Sequence, residues 1–584
     1  RFRKLAIATL GLAAFGMALV ACSSSDSAPS ASGGPQSEAP GSQSSPNSLL
    51  PPAPPSQPDE ELAQMREQPG KPLEQEDRDT ASSQPMPPSQ PVPAAAATTM
   101  QGAGYGITSE ARGFSTGGSA TVNDAPYDAT FFKHYGVNPF IDTEDDHFST
   151  FAMDVDTASY AVARRFIQDG FLPDPDSVRV EEFINFFDQG YHAPEEDAFA
   201  IHIDGAPSPF SESNHWLMRV GLQGRTIEAE ERKDASLIFV IDVSGSMARE
   251  NRLGLVQRSL HLLLDKLRPA DEVGIVVYGS SGRVLLEPTS LEDIENIREA
   301  IDALRPDGST NASEGLLLGY EMAIQTVEPG RITRVLLLSD GVANVGNTGS
   351  DSILRTIRQY VDEGVYLSTV GFGMGNFNDI LMEQLANDGN GHYAYVDTLN
   401  EANRVFVENL TGTLQVIAQD SKIQVDFNPE VVSRWRLLGY ENRDVADRDF
   451  RNDLVDAGEV GAGHSVTALY ELKLHEGAEG SLGTVFVRYE DPDTFKVTEL
   501  SREMSVEELA LEFEEANPRL QLAAVVAEYA EILRESFWAK ESSLTSVAEM
   551  AHQVMETLPE DADVAEFVQL VDEAKQIVAK TTRR

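Results

Sequence analysis

Three places in the chain set oxygen-bearing side chains where strand-and-helix proteins bind ligands. In Phe239-Val-Ile-Asp242-Val-Ser244-Gly-Ser246-Met247 an apolar run ends in Asp242, Ser244 and Ser246. These three alternate, so a slightly curled chain can aim all their oxygens at one spot, while Gly245 lets the backbone bend tightly around it. Asp340 closes a second apolar run, Val335-Leu-Leu-Leu-Ser-Asp340-Gly341, and Thr310 lies in Asp307-Gly-Ser-Thr310-Asn311 just before a helical pattern. Carboxylate and hydroxyl oxygens are what a hard divalent cation such as Mg2+ takes as ligands. Taken singly, each element has a plainer use: Ser-Gly-Ser and Asp-Gly make turns, and a Thr ahead of a helix can cap it.

A similar stretch, Phe151-Ala-Met-Asp154-Val-Asp156-Thr157-Ala-Ser159-Tyr160, lacks the second alternating hydroxyl and the Gly. It also lacks the Gly and distant Glu of a calcium-binding EF-hand loop. It precedes a helical pattern, which predicts Asp156 or Thr157 as an N-cap instead of a ligand.

The elements that must position these residues alternate between about Asp234 and Asp420. Strands are expected at Ser236–Ile241, Val273–Tyr278, Arg283–Leu286, Arg334–Leu338, Val365–Val370 and His392–Val396. Helices are expected at Leu253–Leu267, Leu291–Leu304, Ala312–Val327, Ser352–Asp362, Asp379–Ala386 and Leu399–Leu414. Continuous apolar runs such as Val335-Leu-Leu-Leu338 fit strands buried on both faces, so the fold class is a doubly wound α/β domain with a mostly parallel sheet. In such a sheet ligands sit outside the carboxyl ends of the strands, which is where Asp242 and Asp340 fall.

On either side the period is two, as in Phe199–Ile203, Met218–Leu222, Ile423–Phe427, Val466–Leu474 and Val485–Tyr489. We expect 199–233 and 421–500 to form one β-sandwich into which 234–420 is inserted; the alternative is two separate small sheets. Region 128–198 reads as helical, with helices at Ala158–Gln168 and Val180–Phe187. Region 501–584 is also helical: Asn517 and Pro518 start one helix, with Leu522, Val526, Tyr529 and Leu533 on one face, and Asp563 with Glu566 suits a capping box for the last.

The order DVSGSM, then GST, then LLLSDG on alternating strands and helices resembles a von Willebrand factor type A (VWA) domain with a metal-ion-dependent adhesion site. The resemblance implies that Ser244 and Ser246 bind Mg2+ (Mn2+ is an alternative) through hydroxyls and that Thr310 binds directly or through water. Asp242 and Asp340 would act mainly through water or as acceptors that orient the hydroxyls. Neutral hydroxyls leave such an ion under-neutralised, so an Asp or Glu carboxylate from a protein partner can complete its shell. The DVDTASY segment and the strand-rich and helical tail resemble a family of bacterial VWA lipoproteins.

At the N-terminus Arg1, Arg3 and Lys4 precede an apolar run, Leu5 to Val20, that ends in Leu19-Val-Ala-Cys22. This resembles a bacterial lipoprotein signal peptide over 1–21, which implies lipidation of Cys22, the chain's single cysteine. Ser23 is not the acidic residue associated with inner-membrane retention in some bacteria, which favours an outer membrane where one exists and otherwise the outer face of the cytoplasmic membrane. Residues 22–127, rich in Ser, Pro, Gly and Ala, read as a disordered tether.

The chain's 94 acidic and 45 basic residues give a formal charge of -49, which repels nucleic acid. Gly371-Phe-Gly-Met-Gly375 is misplaced for a dinucleotide loop, Gly279-Ser-Ser-Gly282 is no nucleophile elbow, and the histidines, His392 among them, show no zinc spacing. We therefore expect a cell-envelope binding protein and not an enzyme. The alternatives are an envelope assembly factor with a vestigial metal site and a metal-assisted hydrolase.

Overall fold

Alternate residues of the run that ends in Asp242 face opposite sides of one sheet, and each side has its own core. Leu237, Phe239 and Ile241 pack with Val256, Leu260 and Leu263 on one face. Ile238 and Val240 pack with Leu316, Tyr320, Met382 and Leu385 on the other. The computed structural model describes residues 132–153, 155–211, 214–341, 350–374 and 378–582. The leader, Cys22, the 22–127 segment and Asp154 lie outside the described residues.

The sheet comprises β5 (Ala235–Asp242), β6 (Glu272–Tyr278), β7 (Gly282–Ser290), β8 (Ile332–Ser339), β9 (Val365–Phe372) and β10 (Tyr393–Val396). Their order is β10-β9-β8-β5-β6-β7, parallel throughout except for β7 against β6. The chain runs outward from β5 to β7 and then returns to place β8 on the other flank of β5. The order therefore reverses between β5 and β8, the place where an open α/β sheet leaves a crevice at its carboxyl edge. Asp242 ends β5, and Asp340 follows Ser339 at the end of β8.

Two further sheets share one core. The first orders β1 (Ile141–Asp142), β12 (Val432–Leu438), β14 (Ser465–Leu474), β4 (His215–Gly224) and β3 (Phe199–Pro207). The second orders β13 (Gly458–Gly461), β11 (Val416–Phe427), β15 (Ser481–Glu490) and β16 (Val497–Ser505), with β2 (Phe148–Ala152) also paired to β11. Met218, Val220 and Tyr470 from one meet Ile423, Val425 and Val485 from the other. This is the expected sandwich with the α/β domain inserted between β4 and β11.

Some elements differ from the expectation. Region 128–198 supplies two sandwich strands, β1 and β2, as well as its helices Ala158–Gln168 and Val180–Asn185. Phe-Ser-Thr-Phe-Ala has no clean alternation because Ser149 and Thr150 are as buried as their apolar neighbours. The expected Leu399–Leu414 helix is broken by a π-helical turn at Arg404–Glu408. The last helix, Ala562–Thr582, is capped by Asp561, whose Oδ1 accepts the Asp563 and Val564 N–H groups at 3.0 and 3.1 Å, and not by Asp563.

The C-terminal helix Pro518–Leu533 starts as expected, with the Asn517 side chain accepting the Arg519 N–H at 2.9 Å. It is buried on nearly every side, between the Ala158–Gln168 and Val180–Asn185 helices and the helices Leu544–Thr557 and Ala562–Thr582. Buried ion pairs join these layers. The Arg164 guanidinium donates to both Asp397 oxygens (2.8 and 2.6 Å) and to Glu401 (2.8 Å), and reaches Glu566 (3.0 Å). Arg179 pairs with Glu182 and with Asp379 on the α/β domain. Among the described residues no helix is long and apolar enough to cross a membrane.

Candidate functional site

The segment after β5 is shaped by two apolar anchors. Val243 and Met247 are buried in the core beneath the rim, and a 3-10 helix, Gly245–Asn251, starts between them. That turn holds Ser244 and Ser246 at the carboxyl edge, where both are buried along with Asp242 and Asp340.

Both oxygens of Asp242 are engaged. Oδ1 accepts the Ser244 N–H at 2.8 Å and Oδ2 accepts the Ser339 hydroxyl at 2.9 Å. Asp242 therefore ties the backbone of the turn to the end of β8. Ser246 Oγ donates to Asp340 Oδ1 at 2.9 Å and lies 2.9 Å from Ser244 Oγ. Since the Ser246 proton is committed to Asp340, the Ser244 hydroxyl donates to Ser246. The two hydroxyl protons thus run toward Asp340 and the Ser244 oxygen keeps its lone pairs.

The loop that carries Thr310 belongs to the same rim. Gly245 N–H donates to the Gly308 carbonyl at 3.0 Å, Asp307 N–H to Val243 at 2.5 Å, and Asn311 N–H to Gly279 at 2.9 Å. Thr310 itself is half-buried. The structure thus brings together Asp242, Ser244, Ser246 and Asp340 by direct bonds, and Thr310 through its loop.

The electrostatics fit a cation. Burial, and then the facing Asp340 carboxylate, push Asp242 up to about 7, against the pull of its Ser244 and Ser339 donors. Burial also raises Asp340, opposed by Arg252. Two carboxylates in so dry a place are costly as a pair of anions, and a divalent cation beside them relieves that cost. Among the described residues no three His, Cys, Asp or Glu side chains converge at metal-ligand spacing, so the donor set here is carboxylates plus hydroxyls, the chemistry of a hard cation.

Two participants escape a reading from sequence alone. Ser339 holds Asp242 and accepts the Gly341 N–H at 3.1 Å; its place beside Asp340 in Leu-Leu-Leu-Ser-Asp is the one signal for it. Arg252 donates to Asp340 Oδ2 at 2.7 Å and to the Met374 carbonyl, and an Arg opening an amphipathic helix gives no hint of that.

Asp156 is no helix cap. Its Oδ1 accepts the Tyr393 N–H at 2.9 Å, and Thr157 stands at the N-cap without a side-chain bond. The first turn is satisfied instead by Glu182, which accepts the Ser159 N–H at 2.8 Å. His392 packs against His464, ring centroids 5.2 Å apart.

A doubly wound sheet with an Asp-x-Ser-x-Ser turn, a Thr loop and an Asp on one rim defines a von Willebrand factor type A domain, and the von Willebrand factor type A domain model matches residues 236–410. A model described as von Willebrand factor matches 126–219, and one described as "Uncharacterized protein YfbK, C-terminal" matches 412–481 and 475–577. YfbK of Escherichia coli (strain K12) is 34% identical over 466 residues, covering 76% of this chain and 80% of that protein. The chain belongs to the YfbK family of VWA-domain proteins.

Inter-alpha-trypsin inhibitor heavy chain H4 of Homo sapiens is 28% identical over 164 residues, 27% of this chain and 17% of its own length. A solved von Willebrand factor type A protein from Catenulispora acidiphila aligns over 64% of this chain and 89% of its own at 15% identity, with a TM-score of 0.39. VWA domains are protein-interaction modules that often hold a divalent metal at this rim, and the chain is a protein of that class.

Proposed function

We propose that the chain is a lipid-anchored cell-envelope binding protein whose VWA rim, with Mg2+ bound, captures an Asp or Glu side chain of a protein partner. The observation that carries this reading is the Ser244 to Ser246 to Asp340 hydrogen-bond series. It turns both hydroxyl protons inward, while Asp242 has both oxygens occupied in orienting the turn. When bound, a divalent ion supplies a Lewis-acidic centre for an outside carboxylate. Ser244 and Ser246 would hold it with neutral oxygens, Thr310 directly or through water, and Asp242 and Asp340 from behind.

The anchor rests on the lipoprotein-like leader and Cys22, with the outer membrane favoured where one exists. Residues 22–127 would serve as the tether.

The test measures Mg2+ and Mn2+ binding by calorimetry, and retention of envelope proteins, for the wild type, for Ser244→Ala with Ser246→Ala, and with chelator. Loss of both signals supports metal-dependent capture. Retention that persists after metal binding is lost rejects it in favour of an assembly role. In the same cells Cys22→Ser should move the protein out of the membrane fraction; unchanged sedimentation rejects the lipid anchor.

A further inference from the structure

Arg252 is buried at the rim and ties three segments together. It opens the helix Arg252–Leu264, its Nη1 donates to Asp340 Oδ2 at 2.7 Å, and its Nη2 donates to the Met374 carbonyl in the loop after β9. Gly373, at φ +79°, lies against its stem: a Cβ there would come within 2.5 Å of Arg252 Cδ. Gly373 and Met374 thus cover the guanidinium, which is buried beside the carboxylate.

The charge count follows from this placement. Asp242 and Asp340 carry two negative charges when ionised, and Arg252 returns one buried positive charge that no accessible pH removes; the Arg249 charge also acts on Asp340, but from an exposed side chain whose field solvent screens. A divalent cation at the rim then meets a surround one charge short of neutralising it.

We infer that Arg252 is the charge-setting residue of the metal rim: it weakens the hold on the cation and leaves the loaded site with a net positive charge that only an outside carboxylate completes. This inference rests on the metal reading above. It adds why a site with two buried aspartates should still want a third acid from a partner. Without Arg252 the aspartates would match the ion's charge by themselves, and the site would hold metal more tightly yet take up carboxylate poorly.

The experiment uses Mn2+ as the probe, its affinity read by electron paramagnetic resonance of the free ion. Acetate stands in for the partner carboxylate, its arrival read by the loss of water-proton relaxation at bound Mn2+. Relative to the wild type, Arg252→Gln should bind Mn2+ tighter by on the order of tenfold and lose most of its acetate response, while Arg252→Lys, which keeps the charge, should stay near wild type in both.

Because Arg252→Gln strands a buried carboxylate, the change is also made in Asp340→Asn, where no carboxylate needs the guanidinium. Tighter Mn2+ binding by the double variant than by Asp340→Asn supports a charge effect. Equal binding by those two, or weakening by Arg252→Gln and Arg252→Lys alike, shows that Arg252 only orients Asp340 and overturns the inference. Absence of Mn2+ uptake by every protein, wild type included, overturns the metal reading and this inference with it; uptake by wild type with no difference among the variants overturns this inference alone.

Discussion

The Asp156 carboxylate, outside the VWA domain in sequence, accepts the backbone N–H of Tyr393 at 2.9 Å on the edge strand β10. It also faces Arg443 at 3.4 Å, on the sandwich side of the joint. A side chain from the N-terminal segment thus satisfies an edge donor that would otherwise be stranded in a buried seam, since Asp156 and Tyr393 are both buried.

Removing that acceptor should destabilise the protein strongly. Asp156→Ala leaves the Tyr393 N–H without its acceptor and takes one carboxylate from Arg443, which keeps Glu383 at 3.5 Å; an unmet buried donor costs about 1–3 kcal/mol. Asp156→Asn retains an acceptor for Tyr393 and should lose roughly half as much. Urea midpoints of the three proteins check the order; equal midpoints for wild type and Asp156→Ala would reject the role.

The same pair of residues marks how far the sequence could be read. The clustering of Asp242, Ser244, Ser246 and Asp340 at one edge was legible because they sit at the ends of apolar runs, which strand period places at the carboxyl rim of the sheet. Asp156 stood before a helix and looked like a cap, because local spacing cannot reveal a bond to a strand 237 residues away. Likewise β2 hid its register: Ser149 is buried because Tyr470 Oη donates to its hydroxyl at 3.0 Å, and Thr150 is buried because its hydroxyl donates to Asp447 at 2.6 Å, both distant partners. Arg252 could be placed on a helix by pattern, but the direction of its side chain depends on where the loop after β9 closes.

Gly279 supports Thr310 from below. Its carbonyl accepts the Asn311 N–H, and a Cβ on it would run into the Asp307 carbonyl. Gly279→Ala should therefore push the 307–311 loop off the rim. We expect divalent-ion affinity to fall by roughly 10–100-fold, the range for lost outer support of a metal site, with little change in far-ultraviolet circular dichroism. Calorimetric titration with Mg2+ measures it, and an unchanged affinity would exclude the Thr310 loop from the site.

Ser339 acts one layer behind. Its hydroxyl donates to Asp242 and accepts from Gly341, so Ser339→Ala removes two buried bonds at once. The expected cost is about 1–3 kcal/mol in the metal-free protein, accompanied by weaker Mg2+ binding because Asp242 loses the donor that fixes its second oxygen. Thermal melts with and without Mg2+ separate the two: the stabilising shift produced by the ion should be smaller in Ser339→Ala than in the wild type.

At the opposite end of the α/β sheet, His392 and His464 meet beside the fully buried Arg334, whose Nη1 donates to Ser368 Oγ at 2.7 Å. Burial, and then the Arg334 charge, push His464 down to about 4. Burial, His464 and Arg334 together push His392 well below its usual value. Burial also lowers Arg334, to about 10, while Tyr366 and Glu459 oppose that shift, so the guanidinium stays charged throughout the acid range and adds to the effect of burial in keeping the rings neutral in the folded protein above about pH 4. In the unfolded chain each ring takes up a proton near pH 6.5. Between about pH 6.5 and 4 the unfolded state therefore binds more protons than the folded one, and stability falls as the pH is lowered through that window, by up to ~3 kcal/mol from His464 alone. His464→Gln cannot titrate, so its loss of stability between pH 7 and 4.5 should be visibly shallower than that of the wild type. Urea unfolding at intervals across that range reads the slope directly, and parallel slopes would mean that His464 takes up its proton at the same pH in the folded and unfolded protein.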